Sequence, residues 1–345
     1  MIRANSSRRE FLRKSGAALT AGATGAVLFG CDRSHPDGLI PVDFLAILDP
    51  QGLTFAPELL AIAGGYFLDR GLDVTMQQTR GSAIAIQTVV AGGAPLTRIE
   101  QAEGVIHLAN SGVPITNVGT VIKESAIRFI SSGRAPIREP RDFVGKLAGI
   151  ASQGGSTEKT LDLMLANAGI DPASVKRQVV GPSAGTFELV QRGDVNCYAV
   201  SIDVSKILER ERDDIVILNP SRFTAASGQF YMVSNDGLVA HRDTIRTYLE
   251  AVHAAIQFMA DDTNFDATLE ILRQRYSFPT LMDSDIAKAS LAEYVRIWMG
   301  EGRENILRTV DDSWRRGYDE LVQAGLAEGG HNPSAWFTNE LLPAR

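Results

Sequence analysis

The stretch with the clearest binding chemistry is Gln153-Gly154-Gly155-Ser156-Thr157, in which two glycines precede two hydroxyl residues. It lies between the strand-like segment "KLAGIAS" and the helical pattern "GSTEKTLDLMLANAG". Glycines allow backbone N–H groups to converge, and the start of a helix favours negative charge. The four residues from Gly154 to Thr157 therefore predict an anion-binding loop, and plain capping of the helix is the alternative.

Two more loops place hydrogen-bonding groups after strand-like segments. Gly81-Ser82 follows "LDVTMQQ" and begins a helical pattern, so its N–H groups and hydroxyl can bind an anion or simply cap the helix. Gln51 follows "VDFLAIL" and can hydrogen-bond a solute, or it can serve only the turn around Pro50. Both loops are candidate ligand contacts.

A basic side chain occurs at the end of a third predicted strand, in Thr97-Arg98. A guanidinium there can bind a carboxylate, sulfonate or phosphate through two parallel hydrogen bonds. The alternative is a surface ion pair with Glu100 or Glu103. We count Thr97 and Arg98 as candidate contacts to an anionic ligand.

Ser201 and Asp203 follow the strand-like segment "VNCYAV". Asp203 can bind an amine or cap the helical pattern that begins there. In parallel α/β sheets, ligands bind beyond the carboxyl ends of the strands, where loops meet helix starts. That rule predicts that all of these loops face one cleft.

Motifs of zinc proteases and nucleotide-binding enzymes are missing from the sequence. It has no H-E-x-x-H or Walker pattern, and its five histidines are scattered. The two cysteines, Cys31 and Cys197, form no metal-type cluster. We therefore expect neither a metal nor a cofactor, and we expect a binding protein rather than an enzyme.

The composition indicates an acidic globular protein. Of 345 residues, 44% are hydrophobic and 22% charged, which is typical of a folded domain. The net charge is −7, and residues 1–30 hold five basic side chains and one acidic one, so a chain without them is near −11. This balance argues against nucleic acid as a partner and against an electrostatic membrane patch.

The order of predicted elements gives two α/β units followed by a helical tail. Strand and helix patterns alternate over residues 41–124 and again over 125–232, and helical patterns dominate 233–345. We predict two lobes with parallel sheets, a cleft between them, and a tail that returns to the first lobe. A single doubly wound sheet is the alternative.

The N-terminus predicts export. Residues 1–30 have a basic start and a short, uncharged middle, and "SRREFLR" resembles the twin-arginine export signal. "LFGC" resembles a lipobox that would lipidate Cys31, with residues 31–40 as a polar tether. These features predict a lipid-anchored domain on the periplasmic side of the cytoplasmic membrane. Ordinary cleavage and a free periplasmic protein form the alternative.

Several motifs in register resemble one family. "GYFLDRGLDV", "RDFVGKLAGI", "SQGGSTEKTLDLMLANAGIDPASV" and "ELVQRGDVNCYAV" are similar to solute-binding proteins of ABC importers, in the nitrate, sulfonate, taurine and thiamine-pyrimidine-precursor branch. The resemblance covers roughly residues 42–235. It implies a type II periplasmic-binding-protein fold, a small-molecule solute, an ABC permease as partner, and a monomer.

The expected ligand is a small organic anion, such as a sulfonate, a carboxylate or nitrate. A neutral heteroaromatic, either a pyrimidine or a flavin precursor, is the alternative. The pyrimidine branch usually has Trp and His after its first strand, whereas "LDPQGLTFAP" has neither. Less favoured alternatives are a pyrimidine-synthase-like enzyme and a sensor subunit with the same cleft.

Overall fold

The computed structural model describes residues 38–47, 49–79 and 81–344. Within these residues, ten strands form two five-stranded sheets. The first sheet contains β1 (Ile40–Ala46), β2 (Leu72–Gln78), β3 (Leu96–Glu100), β4 (Ile115–Ile122) and β10 (Gln229–Ser234). The second contains β5 (Ile127–Ser132), β6 (Leu147–Ile150), β7 (Lys176–Val179), β8 (Cys197–Ser201) and β9 (Ile215–Leu218).

Helices surround both sheets and dominate the C-terminal part. They are α1 (Ala56–Ala63), α2 (Ser82–Val90), α3 (Gln101–Ser111), α4 (Ser156–Asn167), α5 (Phe187–Arg192), α6 (Ile202–Glu211), α7 (Asn235–Ala240), α8 (Arg242–Asp261), α9 (Asp266–Arg273), α10 (Pro279–Met282), α11 (Ser284–Trp298) and α12 (Asp311–Gln323). No helix in the described part of the chain is long and apolar enough to cross a bilayer.

Both sheets are mixed rather than parallel, which corrects the expectation from the sequence. The first has the order β2-β1-β3-β10-β4, and β10 runs antiparallel to both of its neighbours. The second has the order β7-β6-β8-β5-β9, in which β5 is antiparallel to β8 and β9. Each of these two strands follows a strand of the other sheet in the chain. It therefore starts at the end of its sheet where the neighbouring strands finish.

Residues from both ends of the chain build the first lobe. Tyr248 of α8 stacks on Phe67 with ring centroids 4.9 Å apart, and Trp298 of α11 belongs to the same buried cluster. On the other side, Trp314 of α12 meets Phe230 of β10 edge to face at 5.3 Å. Burying such large rings stabilises the lobe, because each removes 150–250 Å² or so from water.

The second lobe has its own core, split between the two faces of its sheet. Phe129 and Phe143 meet edge to face at 5.5 Å on one face, beside the buried free thiol of Cys197. Phe187 and Tyr198 belong to the cluster on the other face. The predicted lobe boundary at residue 232 falls inside β10, which lies in the first sheet.

Candidate functional site

The lobes meet where the strands of the two sheets end. Leu163 of α4 is only 1% exposed and packs within a cluster of first-lobe residues. In the first turn of α6, Asp203 of the second lobe accepts a hydrogen bond from the backbone N–H of Leu53 in the first. The polar groups between these two contacts form the candidate site.

Glu100 and Gln229 form the centre of the first-lobe side. The antiparallel register places Gln229, the first residue of β10, opposite Glu100, the last residue of β3. Gln229 Nε2 donates to Glu100 Oε1 at 2.6 Å. Gln229 is 5% exposed, and its Oε1 has no partner among the described residues. This acceptor is therefore available to a ligand that donates a hydrogen bond.

Burial raises the pKa of Glu100 to about 8; Gln229 and Arg98 act against the rise, and the nearby Glu103 adds to it. A carboxyl group with that pKa is largely protonated at neutral pH, so it can donate as well as accept a hydrogen bond. Together, Glu100 and Gln229 offer a ligand both hydrogen-bond donors and acceptors. An anion-binding site would offer donors alone.

Gly81 and Ser82 also lie on the first-lobe side, next to a second carboxyl group, that of Glu103. Gly81 precedes α2 with φ +100°, a conformation that suits glycine. Burial raises the pKa of Glu103, and a hydrogen bond from Ser82 opposes this rise together with the charges of His107 and Lys159. The Ser82 hydroxyl is therefore used within the first lobe, beside a carboxyl group.

The structure places Thr97 and Arg98 in the interior of the first lobe. The Thr97 hydroxyl donates to Leu45 O at 2.7 Å. Arg98 is 1% exposed and donates to Glu58 Oε1 and to Thr54 O, both at 2.9 Å. An internal ion pair thus takes the place of the expected contact between Arg98 and an anion.

That ion pair also fixes the turn that meets the second lobe. The Tyr231 hydroxyl donates to Glu58 Oε1 at 2.6 Å, and the Arg98 guanidinium lies 4.3 Å from the centre of the Phe55 ring. Because Arg98 also binds Thr54 O, the group holds the backbone next to Leu53. Phe55 and Tyr231 belong to the buried core of the first lobe.

On the second lobe, the predicted anion loop satisfies part of its own hydrogen-bonding capacity. The loop comprises Gly154, Gly155, Ser156 and Thr157. The Gly154 N–H, at φ +72°, donates to Glu158 Oε2 at 2.5 Å. The Thr157 hydroxyl accepts the Ala151 N–H at 3.0 Å. A carboxylate of the chain therefore occupies part of the place where an external anion was expected.

Ser201 and Asp203 have different positions at the start of α6. Ser201 is the N-cap, and its hydroxyl accepts the Val204 N–H at 3.4 Å. Asp203 is 5% exposed; its Oδ2 accepts the Leu53 N–H at 3.3 Å, and its Oδ1 has no partner among the described residues. Burial raises the pKa of Asp203 to about 7, against the effect of the Leu53 N–H and the Tyr294 hydroxyl.

Gln51 is exposed after β1, and its backbone N–H donates to Asp49 Oδ1 at 2.9 Å. Its side chain lines a separate cavity beside β2. Cys31, the signal and residues 31–37 of the tether lie outside the described residues. No group of three metal-ligating side chains occurs in the described part of the chain.

Sequence reasoning missed the most telling pair, Glu100 and Gln229. Glu100 ends β3, so the rule on strand carboxyl ends applied to it as much as to Arg98, whereas Gln229 begins β10 and lies beside Glu100 only because β10 is antiparallel. Position at a strand end counted for less than residue type in the sequence analysis, because an arginine or a glycine-serine loop is a more common ligand contact than a glutamine. Their pairing also depends on β10 returning between β3 and β4.

Two mixed sheets with a site at their facing edges define the periplasmic-binding-protein type of fold. The model of the NMT1/THI5 like family matches residues 53–264, and the chain belongs to this family.

Named relatives and a solved structure agree with this assignment. The chain is 22% identical over 311 residues to the riboflavin-binding protein RibY of Chloroflexus aurantiacus, covering 87% of this chain and 85% of the relative. It is 23% identical over 237 residues to a formylaminopyrimidine-binding protein of Halalkalibacterium halodurans, covering 67% and 71%. The alkanesulfonate-binding protein SsuA of Xanthomonas axonopodis pv. citri, bound to MOPS, superposes with a TM-score of 0.64 at 13% identity, covering 88% and 99%. That last likeness shows the fold alone.

Proposed function

We propose that the protein is the extracytoplasmic solute-binding component of an ABC importer, and that it captures a neutral, N–H-bearing heteroaromatic between its lobes. The Glu100–Gln229 pair carries this proposal. It combines a buried acceptor without a partner, Gln229 Oε1, with a carboxyl group whose pKa is about 8. Aminopyrimidine and flavin rings carry N–H donors and ring acceptors that match such an edge.

The charges around the cleft support this class over the organic anion. Three carboxyl groups, those of Glu100, Glu103 and Asp203, lie at the facing edges. Arg98, the cation expected to attract an anion, is committed to Glu58. The names of the two relatives, a riboflavin binder and a formylaminopyrimidine binder, point in the same direction.

The test measures ligand affinity by calorimetric titration of riboflavin, formylaminopyrimidine, ethanesulfonate and nitrate. We expect saturable binding of one heteroaromatic and none of the anions. Gln229→Met should weaken that binding about tenfold or more, because a ligand N–H then loses its acceptor in a dry site. Gln191→Met, on an exposed position of α5, is the matched control and should bind like the wild type.

Two results would overturn the ligand class. Saturable binding of ethanesulfonate or nitrate alone would return the preference to the anion. Equal affinities of the Gln229→Met and Gln191→Met variants would remove Gln229 from the site. Recovery of the bound solute chemically unchanged would agree with a binding protein, whereas a new product would favour the enzyme alternative.

The proposed location rests on the N-terminal sequence. We propose twin-arginine export, lipidation of Cys31 and attachment at the periplasmic face of the cytoplasmic membrane, where a monomeric receptor meets its permease. The full chain expressed with its signal should sediment with membranes, and Cys31→Ser should release it into the periplasmic fraction. Equal release of both forms would contradict the lipid anchor but leave the ligand proposal unaffected.

A further inference from the structure

A cavity of about 430 Å³ lies in the first lobe, outside the site between the lobes. It runs along β2, which is the edge strand of the first sheet, and the segment between α9 and α10 closes its far side. Cavities of this size hold small organic ligands in many proteins. The cavity therefore needs an explanation that the cleft does not provide.

Its floor is apolar. Leu59 and Ile62 of α1 and Val74 and Met76 of β2 line it, and the Tyr276 ring adds an aromatic wall. Four apolar side chains and one ring suit the flat or branched body of an organic molecule. They give no reason for a small inorganic ion to bind.

Its rim is polar and carries a cation. Arg275, Ser277 and Gln51 line the cavity, together with one carboxylate, that of Asp73. Arg275 is exposed, and it has no ion-pair partner in the described part of the chain. This sets it apart from Arg98, whose charge is balanced by Glu58. A guanidinium above an apolar floor recognises a carboxylate attached to an apolar body.

We propose that this cavity is a second ligand site, which takes a small aromatic carboxylate with its ring on the Leu59–Met76 floor and its carboxylate at Arg275. Gln51 and Ser277 supply further hydrogen bonds at the rim. The site is separate from the Glu100–Gln229 pair, so it does not depend on the function proposed for the cleft.

The experiment titrates the purified protein with 2-naphthoate and measures its dissociation constant. Arg275→Gln should weaken binding about tenfold or more, because a charge-assisted hydrogen bond is lost. Ile62→Trp should abolish binding by filling the floor from a half-buried position of α1. Arg246→Gln, which removes an exposed arginine from α8, is the matched control and should leave binding unchanged.

Gln229→Met separates the two sites, since it changes the cleft and leaves the cavity intact. Retained 2-naphthoate binding in this variant, with loss in Arg275→Gln and Ile62→Trp, supports the second site. Binding that is lost in Gln229→Met but kept in Ile62→Trp would place the probe in the cleft and overturn the proposal. Absence of saturable binding, or equal binding by Arg275→Gln and Arg246→Gln, would overturn it as well.

Discussion

The two lobes differ in how far the polar groups that face the cleft are already hydrogen-bonded within the protein. On the second lobe, the loop 154–157 has the composition of an anion site, yet Glu158 and Ala151 already engage it. On the first lobe, the inconspicuous pair Glu100 and Gln229 keeps a buried acceptor without a partner. The contrast indicates that the ability to bind a ligand depends less on residue type than on which hydrogen-bonding groups have no partner in the folded protein.

The same contrast applies to two buried charged residues, Arg98 and Asp203. Arg98 is fully engaged inside the first lobe, where it holds Thr54 and balances Glu58. Asp203 reaches across from the second lobe with one oxygen satisfied and one not. Arg98 therefore acts on the architecture of one lobe, and Asp203 acts on the contact between the two.

The largest effect should follow from removing the Arg98 charge. Arg98→Met leaves Glu58 buried without its cation, and we expect a loss of about 3–5 kcal/mol in the free energy of unfolding. Urea denaturation measures it. The control, Arg210→Met, removes an exposed partner of Asp283 and should cost at most about 1 kcal/mol. Similar losses in both variants would mean that Glu58 and Arg98 are not the stabilising pair the geometry indicates.

The next effect concerns Asp203 and depends on pH. Its pKa in the folded protein, about 7, lies above the ordinary 3.8, so the folded state keeps a proton that the unfolded chain releases. The stability from this group is therefore present at low pH and is lost as the pH rises towards 7.

Asp203→Asn removes that titration but keeps an acceptor for the Leu53 N–H. The variant should gain on the wild type between pH 4 and pH 8, by roughly 3–4 kcal/mol, because a pKa of about 7 instead of 3.8 is worth about 1.4 kcal/mol per pH unit between these values. Urea denaturation at several pH values measures the difference. Asp213→Asn, at an exposed site, is the control and should show no such gain. Parallel pH curves for wild type and Asp203→Asn would contradict a buried, protonated Asp203.

Much of the fold could be read from the sequence, because strand and helix patterns alternate in clear order and the helical tail is strongly amphipathic. The resemblance to solute-binding proteins is confirmed by the family match and by the fold. The direction of β5 and β10 could not be read in this way. An antiparallel strand has the same alternation as a parallel one, and only the crossing between sheets decides its direction.

The site was harder to predict than the fold. Gly81, Ser82 and Ser201 do stand at helix starts, as their types suggest, but the sequence does not reveal that Ser82 serves Glu103. Burial is the quantity that the sequence lacks. Arg98 lies in a short strand whose first four residues are all buried, so a residue predicted at the ligand-facing strand end lies in the core.

The smallest effect tests the second-lobe side of the comparison. Glu158→Ala removes the acceptor of the Gly154 N–H, and we expect a loss of about 1 kcal/mol in the free energy of unfolding. It should also open the loop to an external anion, because the N–H at the start of α4 is then free.

Sulfate compared with chloride at equal ionic strength measures that opening. Wild type and Glu209→Ala, a control on the exposed side of α6, should show only the general salt effect. Glu158→Ala should gain additional, saturable stability in sulfate, because an anion that binds only the folded state adds to its stability. If sulfate stabilises all three proteins equally, the carboxylate of Glu158 is not what closes this loop. The difference between the two edges would then lie in loop shape rather than in hydrogen bonds already made.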